Sequence, residues 1–361
     1  MNHILDDVCS VFLDSVDGCL ASEKSSDWRA VISECKNLPI YYKLNFIRYQ
    51  TEYFSNAYEK FVDISSVIYR GGKAVGVWPL CIFKKEGLWQ IGSLGGSLLP
   101  PKLSGHFKAE TERKIYEKCL SSLYAIAKLL KIQYLDFSEL IMENGVSSWC
   151  KKLMEHGCVV NRVSHHLFSD LSLSQDELQK RMRRTNKHSV EKGGGMFDIE
   201  ICDESSEDIG KKFSEFHSMH VYVSGRETRS QITWNIQQEG VKSGNNVDGY
   251  SFAVFIRDKI TKELAGAALF DTTHDYGLYC VGAYDRSRFS FPVSHVIQAV
   301  AMQKMRSLGV KWYELGERPY ITDIDSSEKT VNIGLYKEGF ATNTYVKLHL
   351  GLDLFENISE D

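Results

Sequence analysis

Residues 312–340 read WYELGERPYITDIDSSEKTVNIGLYKEGF, and their pattern guides the interpretation of the whole chain. An apolar run at residues 312–315 is typical of a short buried strand, and Gly316 ends it. The stretch closes on residues 334–340, GLYKEGF, and a second strand-like run follows at residues 344–350. We therefore expect two strands joined by a polar segment.

Charged and aromatic side chains are concentrated between these two runs. Glu317, Arg318 and Tyr320 follow the first run, and Lys337 lies between Tyr336 and a Gly-Phe pair. Loops at strand ends are where binding groups collect in folded domains. The alternative is a solvated lysine at a strand edge, but its aromatic and glycine neighbours favour a ligand site.

A similar succession of elements occurs in the first half of the chain. Residues 134–140, YLDFSEL, follow an amphipathic helix predicted over residues 110–130, just as WYELGER follows a helix predicted from Pro292 to Leu308. Each half also contains a meander of short strand patterns before its long helix. The chain is therefore predicted to be a mixed α+β protein with a degenerate internal duplication.

The length and composition agree with two globular domains. At 361 residues the chain is longer than one hydrophobic core usually serves, and 43% hydrophobic residues suffice for packed interiors. The pattern of elements restarts between His156 and Ser174. We therefore expect a first domain over residues 1–160 and a second domain over residues 165–361.

Charge and cysteine usage argue against several classes of protein. The 43 basic and 47 acidic residues give a net charge of −4, so no global basic field favours a dedicated nucleic-acid binder. No apolar run reaches the roughly 18 residues that indicate a membrane span. Nine cysteines without a CxxC spacing, together with acidic residues near the start of the chain, predict a cytoplasmic protein.

A run of cations lies directly before three consecutive glycines. Residues 180–192, KRMRRTNKHSVEK, fall largely within a helix predicted over residues 175–191, with Arg184 and Lys187 three residues apart on one side. A charge run of this kind is usually a solvated helix face. The glycines at residues 193–195 indicate a close approach at the helix end, so the phosphate of a nucleotide or coenzyme is the alternative ligand.

Two histidines, His217 and His220, are one helical turn apart in the sequence FHSMH. No Glu or Cys stands at the spacing of a zincin-type site, so no metal is expected. His220 is a candidate general base, and the alternative is a histidine that packs at a helix end.

Two further segments carry candidate binding residues. Arg226 and Arg229 lie in a charged loop before a helix that contains Trp234, where they can fork onto a carboxylate or phosphate or form surface ion pairs. Tyr279 and Asp285 flank the end of a predicted strand ahead of the next helix. A strand end next to a helix start can hold a carbonyl or phosphate by backbone amides.

The second half of the chain, residues 168–350, resembles the Fem-type (FemAB-like) branch of the GNAT acyltransferase superfamily. The ending YKEGF is the most specific point of similarity, because the family repeatedly shows an aromatic-Lys-x-Gly-Phe ending. The other matching segments are residues 183–193, 265–270, 279–283, Pro292 with its helix, 308–309 and 313–316.

The resemblance implies two tandem GNAT-like domains, each a mostly antiparallel twisted sheet flanked by helices. It also implies transfer of an acyl or aminoacyl group to an amine, with the acyl-transfer site held by the lysine at the position of Lys337. In that role Lys337, helped by Tyr336, stabilises the oxyanion of a tetrahedral intermediate. Glu314, Glu317 and His220 are the candidate bases for the acceptor amine.

Two departures from the family bear on the donor. The Gln/Arg-x-x-Gly-x-Gly/Ala pyrophosphate loop of ordinary GNAT enzymes is missing before Pro292, and so is the coiled-coil arm of several peptidoglycan-modifying members. The preferred prediction is an acyl-CoA co-substrate and a small-molecule amine acceptor, with Arg318 and Tyr320 on the acceptor side. That acceptor is an amino sugar of cell-surface polysaccharide biosynthesis, since residues 225–234 resemble surface-polysaccharide enzymes. The alternatives are an aminoacyl-tRNA donor acting on a peptidoglycan precursor, and a binding protein without a donor site.

Overall fold

The computed structural model describes residues 8, 10, 18–105, 107–142, 145–244, 248–288, 290–323 and 326–354. The chain forms two compact units. The first unit comprises Met1–Lys36, Phe46–Ser164 and Val346–Asp361, and the second unit comprises Asn37–Asn45 and His165–Tyr345. Asn37–Asn45 and Val346–Asp361 therefore each belong to a different unit from the residues next to them in sequence. The two consecutive domains expected from the sequence did not include this exchange.

The helices and strands alternate irregularly along the chain. In the first half they are β1 (Gly18–Leu20), α1 (Ser25–Glu34), a 3₁₀ helix (Ile40–Tyr42), α2 (Leu44–Ser55), β2 (Lys60–Asp63), β3 (Ser66–Arg70), β4 (Lys73–Trp78), β5 (Cys81–Lys85), β6 (Leu88–Gly92), β7 (Lys102–Leu103), α3 (Ala109–Leu130), β8 (Tyr134–Ile141), α4 (Ser148–Glu155) and β9 (Val159–Asp170). They continue with α5 (Gln175–Arg181), α6 (Arg184–Gly194), β10 (Phe197–Cys202), α7 (Ile209–Ser224), α8 (Gln231–Lys242), β11 (Tyr250–Asp258), β12 (Leu264–Thr272), β13 (Tyr276–Tyr284), a second 3₁₀ helix (Arg286–Arg288), α9 (Val293–Ser307), β14 (Trp312–Glu317), α10 (Glu328–Glu338) and β15 (Asn343–Asp353).

The first unit contains two small antiparallel sheets, β1-β3-β4-β7 and β2-β5-β6, and an antiparallel pair of β8 with β15. Helix α3 has apolar residues at three- and four-residue spacing, which places Leu120, Leu123 and Ile126 on one face. That face packs into a core that includes the fully buried Trp78 and Trp149. Within the described residues, no helix has both the length and the apolar composition needed to cross a membrane.

The second unit is organised around one sheet in the order β10-β11-β12-β13-β14-β9. All neighbours in it are antiparallel except β13 and β14, which are parallel. Successive residues of a strand point to opposite faces, and β11 accordingly sends Phe252 and Val254 to a core with α9 and Phe255 to a core with α7 and α8. Helices therefore cover both faces of the sheet.

The prediction of one helix over residues 175–191 is wrong, because the chain forms the two helices α5 and α6. Met182 and Arg183 between them have extended backbone conformations, with ψ near 135°. The Arg183 backbone N–H donates to Gly339 O at 2.9 Å, and its guanidinium donates to Leu335 O at 2.9 Å. These tertiary hydrogen bonds replace the intrahelical ones that a continuous helix would make.

Lys337 lies in the last turn of helix α10, a helix that the sequence pattern did not predict. The helix begins at a capping box in which the Ser327 hydroxyl accepts from the Thr330 backbone N–H and Thr330 bonds back to Ser327. The polar segment after β14 thus ends at this cap. The strands predicted around WYEL and YLDFSEL are confirmed as β14 and β8.

Residues 37–45 are held in the second unit by buried polar contacts. Lys43 forms an ion pair with Asp271, and both side chains are almost completely buried. The Lys43 ammonium also contacts the Ser251 hydroxyl at 3.3 Å. At the other end of the segment, the Asn37 backbone N–H donates to the Asp275 carboxylate at 2.7 Å. The segment is therefore anchored at both ends.

We expect Lys43→Met to lower the free energy of unfolding by about 3–5 kcal/mol, because it leaves the Asp271 carboxylate buried without its cation. Denaturant unfolding followed by tryptophan fluorescence measures this change. Lys262→Met, which removes an exposed ion pair with Asp198, is the control and should change stability by about 0–1 kcal/mol. Adding Asp271→Leu to Lys43→Met should recover most of the lost stability. Equal stability of the Lys43 and Lys262 variants would contradict the role of Lys43 as an anchor of residues 37–45.

Candidate functional site

The parallel pairing of β13 with β14 stops after three residue pairs, the last of which joins Leu278 to Glu314. Beyond this point β13 remains paired with β12 as far as Tyr284. Strand β14 instead follows β9, with an irregular register between Glu314 and Gly316, where the φ of Gly316 is +95°. The two strands thus take different partners past Glu314, and the polar residues described below collect at this point.

Lys337 reaches the end of this pairing from helix α10. A Cβ atom placed on Gly316 would lie 3.2 Å from Lys337 Nζ, so the glycine allows the ammonium to lie against the strand. The lysine side chain is half-buried. Burial lowers the pKa of Lys337, and the nearby Glu314 carboxylate partly offsets this by favouring the charged form.

Glu314 is buried, with 6% of its surface exposed, and both of its short polar contacts involve Oε1. The Tyr41 hydroxyl donates to this oxygen at 3.1 Å, and His166 Nδ1 lies 3.5 Å from it. Burial, and then the charge of Glu314, raise the pKa of Tyr41 well above its usual range, so Tyr41 stays a donor. The same two causes raise the pKa of Tyr276.

The sequence indicated Glu314 as a candidate base but did not indicate its partners. Tyr41 lies in an aromatic-rich stretch, which is a signal for packing as much as for a site. No local pattern marked His166, which is in register with Glu317 across the β9–β14 pair. Residues distant in sequence are brought together here by strand pairing and by the anchored segment 37–45.

Tyr336 points away from Lys337 and packs against helix α9. Its ring is perpendicular to His295 with centroids 4.9 Å apart, and it also contacts Phe340. Burial raises the pKa of Tyr336, and Ser294 offsets part of that rise. Nearby, the hydroxyls of two further tyrosines are 3.2 Å apart. These two are Tyr279 and Tyr284.

Glu317, Arg318 and Tyr320 lie together just past Gly316. Arg318 is buried, its guanidinium lies 4.7 Å from the Tyr320 ring centroid, and its Nε is 3.4 Å from a Glu338 carboxylate oxygen. The Tyr320 ring is 38% exposed and meets His165 edge-on. Glu317 is half-buried at the end of β14. These residues form one group of charged and aromatic side chains beside the point where the β13–β14 pairing ends.

His220 and Trp234 lie between helices α7 and α8. Trp234 is 2% exposed and contacts the rings of His217 and His220 with centroids 5.0 and 5.4 Å away. Burial, followed by the charges of Arg229 and His217, lowers the pKa of His220 to about 4. Trp234 is therefore a core residue, and a histidine this weakly basic binds a proton poorly at neutral pH.

The remaining predicted binding residues occupy different surroundings. Arg226 is exposed, whereas the Arg229 charge acts on both His220 and Tyr279 and so lies near β13. Asp285 accepts hydrogen bonds from Ser287 and forms an ion pair with Arg288. Its carboxylate is therefore bound by residues two and three positions further along the chain.

Helix α6 covers the start of helix α9. A Cβ on Gly193 would lie 2.4 Å from Val296 and 2.9 Å from Pro292, so these helices are in direct contact at the glycine. On the same helix Arg184 is exposed, and Lys187 lies 4.0 Å from Glu191 with 43% of its side chain exposed. The predicted close approach at the glycines is thus a helix–helix contact.

We expect His220 to impose a pH dependence on stability. Free histidine gains a proton near pH 6.5, whereas His220 does so only near pH 4, so the unfolded chain binds more protons between these values. The free energy of unfolding should fall as the pH decreases from 6.5 to 4, by about 3 kcal/mol from this residue. Denaturant unfolding at several pH values should show a smaller fall for His220→Gln. His274→Gln, at an exposed histidine, is the control, and an identical fall in both variants would contradict the assignment.

Neither a protein-family model nor a curated protein sequence matches the chain. Solved structures do match it. FemX is 13% identical, with 93% of this chain and 97% of FemX covered and a TM-score of 0.68. The C-terminal domain of a protein assigned as a lysylphosphatidylglycerol synthetase from Agrobacterium fabrum is 12% identical (91% and 92% covered, TM-score 0.56), and L-PGS from Bacillus licheniformis is 9% identical (80% and 83% covered, TM-score 0.51). The predicted mixed α+β fold is thereby confirmed, and the chain shares the fold of FemX.

Proposed function

We propose that the protein is an N-acyltransferase that moves an acyl group from a thioester donor to the amine of a small-molecule acceptor. The observation that carries this proposal is the placement of Lys337 Nζ against Gly316, where the pairing of β13 and β14 ends. The shared fold with FemX supports the same class of reaction.

Acyl transfer to an amine passes through a tetrahedral intermediate whose former carbonyl oxygen carries a negative charge. A fixed ammonium in a partly water-excluded position stabilises such a charge more than it would in water. Lys337 meets both conditions, because it is half-buried and is held by the last turn of a helix.

An amino sugar, free or linked to a nucleotide, is the acceptor that we propose. Glu317 offers a carboxylate for hydroxyl or ammonium groups, and the exposed part of the Tyr320 ring offers a flat apolar surface for a sugar ring. The Arg318 guanidinium packs against the Tyr320 ring, 4.7 Å from its centroid. The similarity of residues 225–234 to surface-polysaccharide enzymes supports the same acceptor and a role in making the cell envelope.

A second donor, the aminoacyl ester of a tRNA, is favoured by one observation. Helix α6 covers the first turn of α9 at Gly193, which is where ordinary GNAT enzymes have their pyrophosphate loop. Arg184 and Lys187 are on that covering helix and are at least partly exposed. Cations on an exposed helix suit a phosphate backbone better than a single enclosed pyrophosphate.

Thermal unfolding with each donor class separates these two candidates. A ligand that binds only the folded protein raises the unfolding midpoint, so we expect a rise with acyl-CoA thioesters and none with tRNA. If tRNA is the donor, tRNA should raise the midpoint, with an effect that weakens steeply as salt is added. The double variant Arg184→Gln/Lys187→Gln should then abolish the tRNA effect only. A midpoint unchanged by both classes would contradict the proposal.

We expect Lys337→Met to reduce the turnover of N-acylated product by roughly 10²–10³, because it removes a charge that acts mainly on the intermediate. Mass spectrometry of product from an amino-sugar acceptor measures the rate, and donor affinity should remain nearly unchanged. Lys329→Met, at an exposed lysine in the first turn of the same helix, is the control. Equal turnover in the two variants would remove Lys337 from the site.

A further inference from the structure

Glu314 is a buried carboxylate beside the position where the proposed reaction takes place. It is the last residue of β14 that pairs with β13, and Lys337 Nζ lies against Gly316 two residues further along the strand. We infer that Glu314 takes the proton of the acceptor amine, and that Tyr41 and His166 position it. This inference rests on the proposed acyltransferase function.

The geometry around Glu314 distinguishes its two oxygens. Tyr41 donates to Oε1, and His166 Nδ1 lies near the same atom. Within the described residues, Oε2 is therefore the oxygen available to meet an amine. The hydrogen bond from Tyr41 fixes the orientation of the carboxylate, which a base must hold toward the amine.

The positions of Glu314 and Lys337 suit opposite halves of the reaction. A carboxylate attracts the ammonium form of the acceptor, and a lysine ammonium attracts the oxyanion that forms on the donor. The charge of Glu314 acts on Lys337, so the two groups are near each other without an ion pair within 4.0 Å among the described residues. A gap between opposite charges at the end of a strand pair is where amine and carbonyl can meet.

Tyr41 reaches Glu314 only because residues 37–45 are anchored in the second unit. Lys43, two residues after Tyr41, is bound to Asp271, and Asn37 is bound to Asp275. Tyr41 and His166 are therefore positioning residues, while Glu314 touches the acceptor. A segment far from β14 in sequence supplies part of the site.

The proton transfers balance as follows. The acceptor ammonium loses one proton to Glu314, and the freed amine lone pair forms the C–N bond with the thioester carbonyl carbon. The tetrahedral intermediate then breaks its C–S bond, and its second ammonium proton leaves with the sulfur as a thiol. Glu314 then returns its proton to solvent, so one amide, one thiol and one proton are released.

Titratable groups face Glu314 from four elements: Tyr41 from the 3₁₀ helix, Tyr276 from β13, His166 from β9 and Lys337 from α10. The phenols of Tyr41 and Tyr276 have raised pKa values and stay neutral near pH 7.

Rate–pH profiles of three proteins test the inference. We expect Glu314→Gln to lower kcat/KM by roughly 10²–10⁴ and to change the acidic limb of the profile. Tyr41→Phe should keep a larger rate but move the acidic limb, because it removes a hydrogen bond to the carboxylate. The titration of the acceptor amine is common to all variants, so a difference between them reports the protein.

Matched controls separate this role from a structural one. Glu328→Gln and Tyr222→Phe change exposed residues of the same types and should leave the profile unchanged. If Glu314→Gln does not fold, Tyr41→Phe provides the test. Loss of a tyrosine with only a structural role would lower the rate without moving the acidic limb of the rate–pH profile. An unmoved limb in Tyr41→Phe, or full activity of Glu314→Gln, would overturn the inference.

A readout without turnover tests the same geometry. Pulse acetylation with acetic anhydride at a series of pH values, followed by peptide mass spectrometry, reports when Lys337 loses its proton. The Glu314 charge favours the ammonium form of Lys337, so Lys337 should become acetylated at lower pH in Glu314→Gln than in the wild type. An unchanged pH profile of acetylation would overturn the inference. If the shift occurs but the wild-type protein acylates no amine with either donor, the proposed function fails and the base role with it. If the wild type is active and Glu314→Gln is equally active, only this inference fails.

Discussion

The end of the parallel pairing between β13 and β14 is the constraint on which the candidate site depends. Three pairs join the strands, after which β13 stays with β12 and β14 follows β9. Both faces of the sheet are covered by helices, so a polar group in its middle is normally inaccessible to a substrate. The end of this pairing lies beside Gly316, a backbone position against which Lys337 can lie.

Buried charge connects the stability of the second unit to its chemistry. A buried ion is unfavourable unless it is paired and hydrogen-bonded, and residues 37–45 meet this requirement at two positions. Lys43 pairs with Asp271, and Tyr41 donates to Glu314. The Lys43–Asp271 ion pair that holds the segment thus also helps to place Tyr41 against Glu314. A change that loosens the segment should therefore also disturb the Glu314 carboxylate.

The helices around α9 show why local patterns were an incomplete guide. The charge run at residues 180–192 was expected to continue one helix, but the backbone of Arg183 bonds to Gly339 instead. The glycines after it were interpreted as a sign of close approach, and Gly193 does meet Pro292 and Val296. The pattern therefore indicated that something approaches closely, but the partner is a helix of the same chain.

The sequence by itself determined the mixed α+β class, the strands around YLDFSEL and WYEL and the long helices, and it indicated Lys337 as a candidate site residue. Apolar periodicity and a five-residue ending are local, and they report which residues face a core whatever the remainder of the chain does. Tertiary structure alone decided that Lys337 is helical, that Tyr336 turns away from it, and that Tyr41 and His166 meet Glu314. Tyr41 and Glu314 are 273 positions apart. A hydrogen bond over that separation depends on strand register and on an anchored segment, and neither leaves a periodic trace in the sequence.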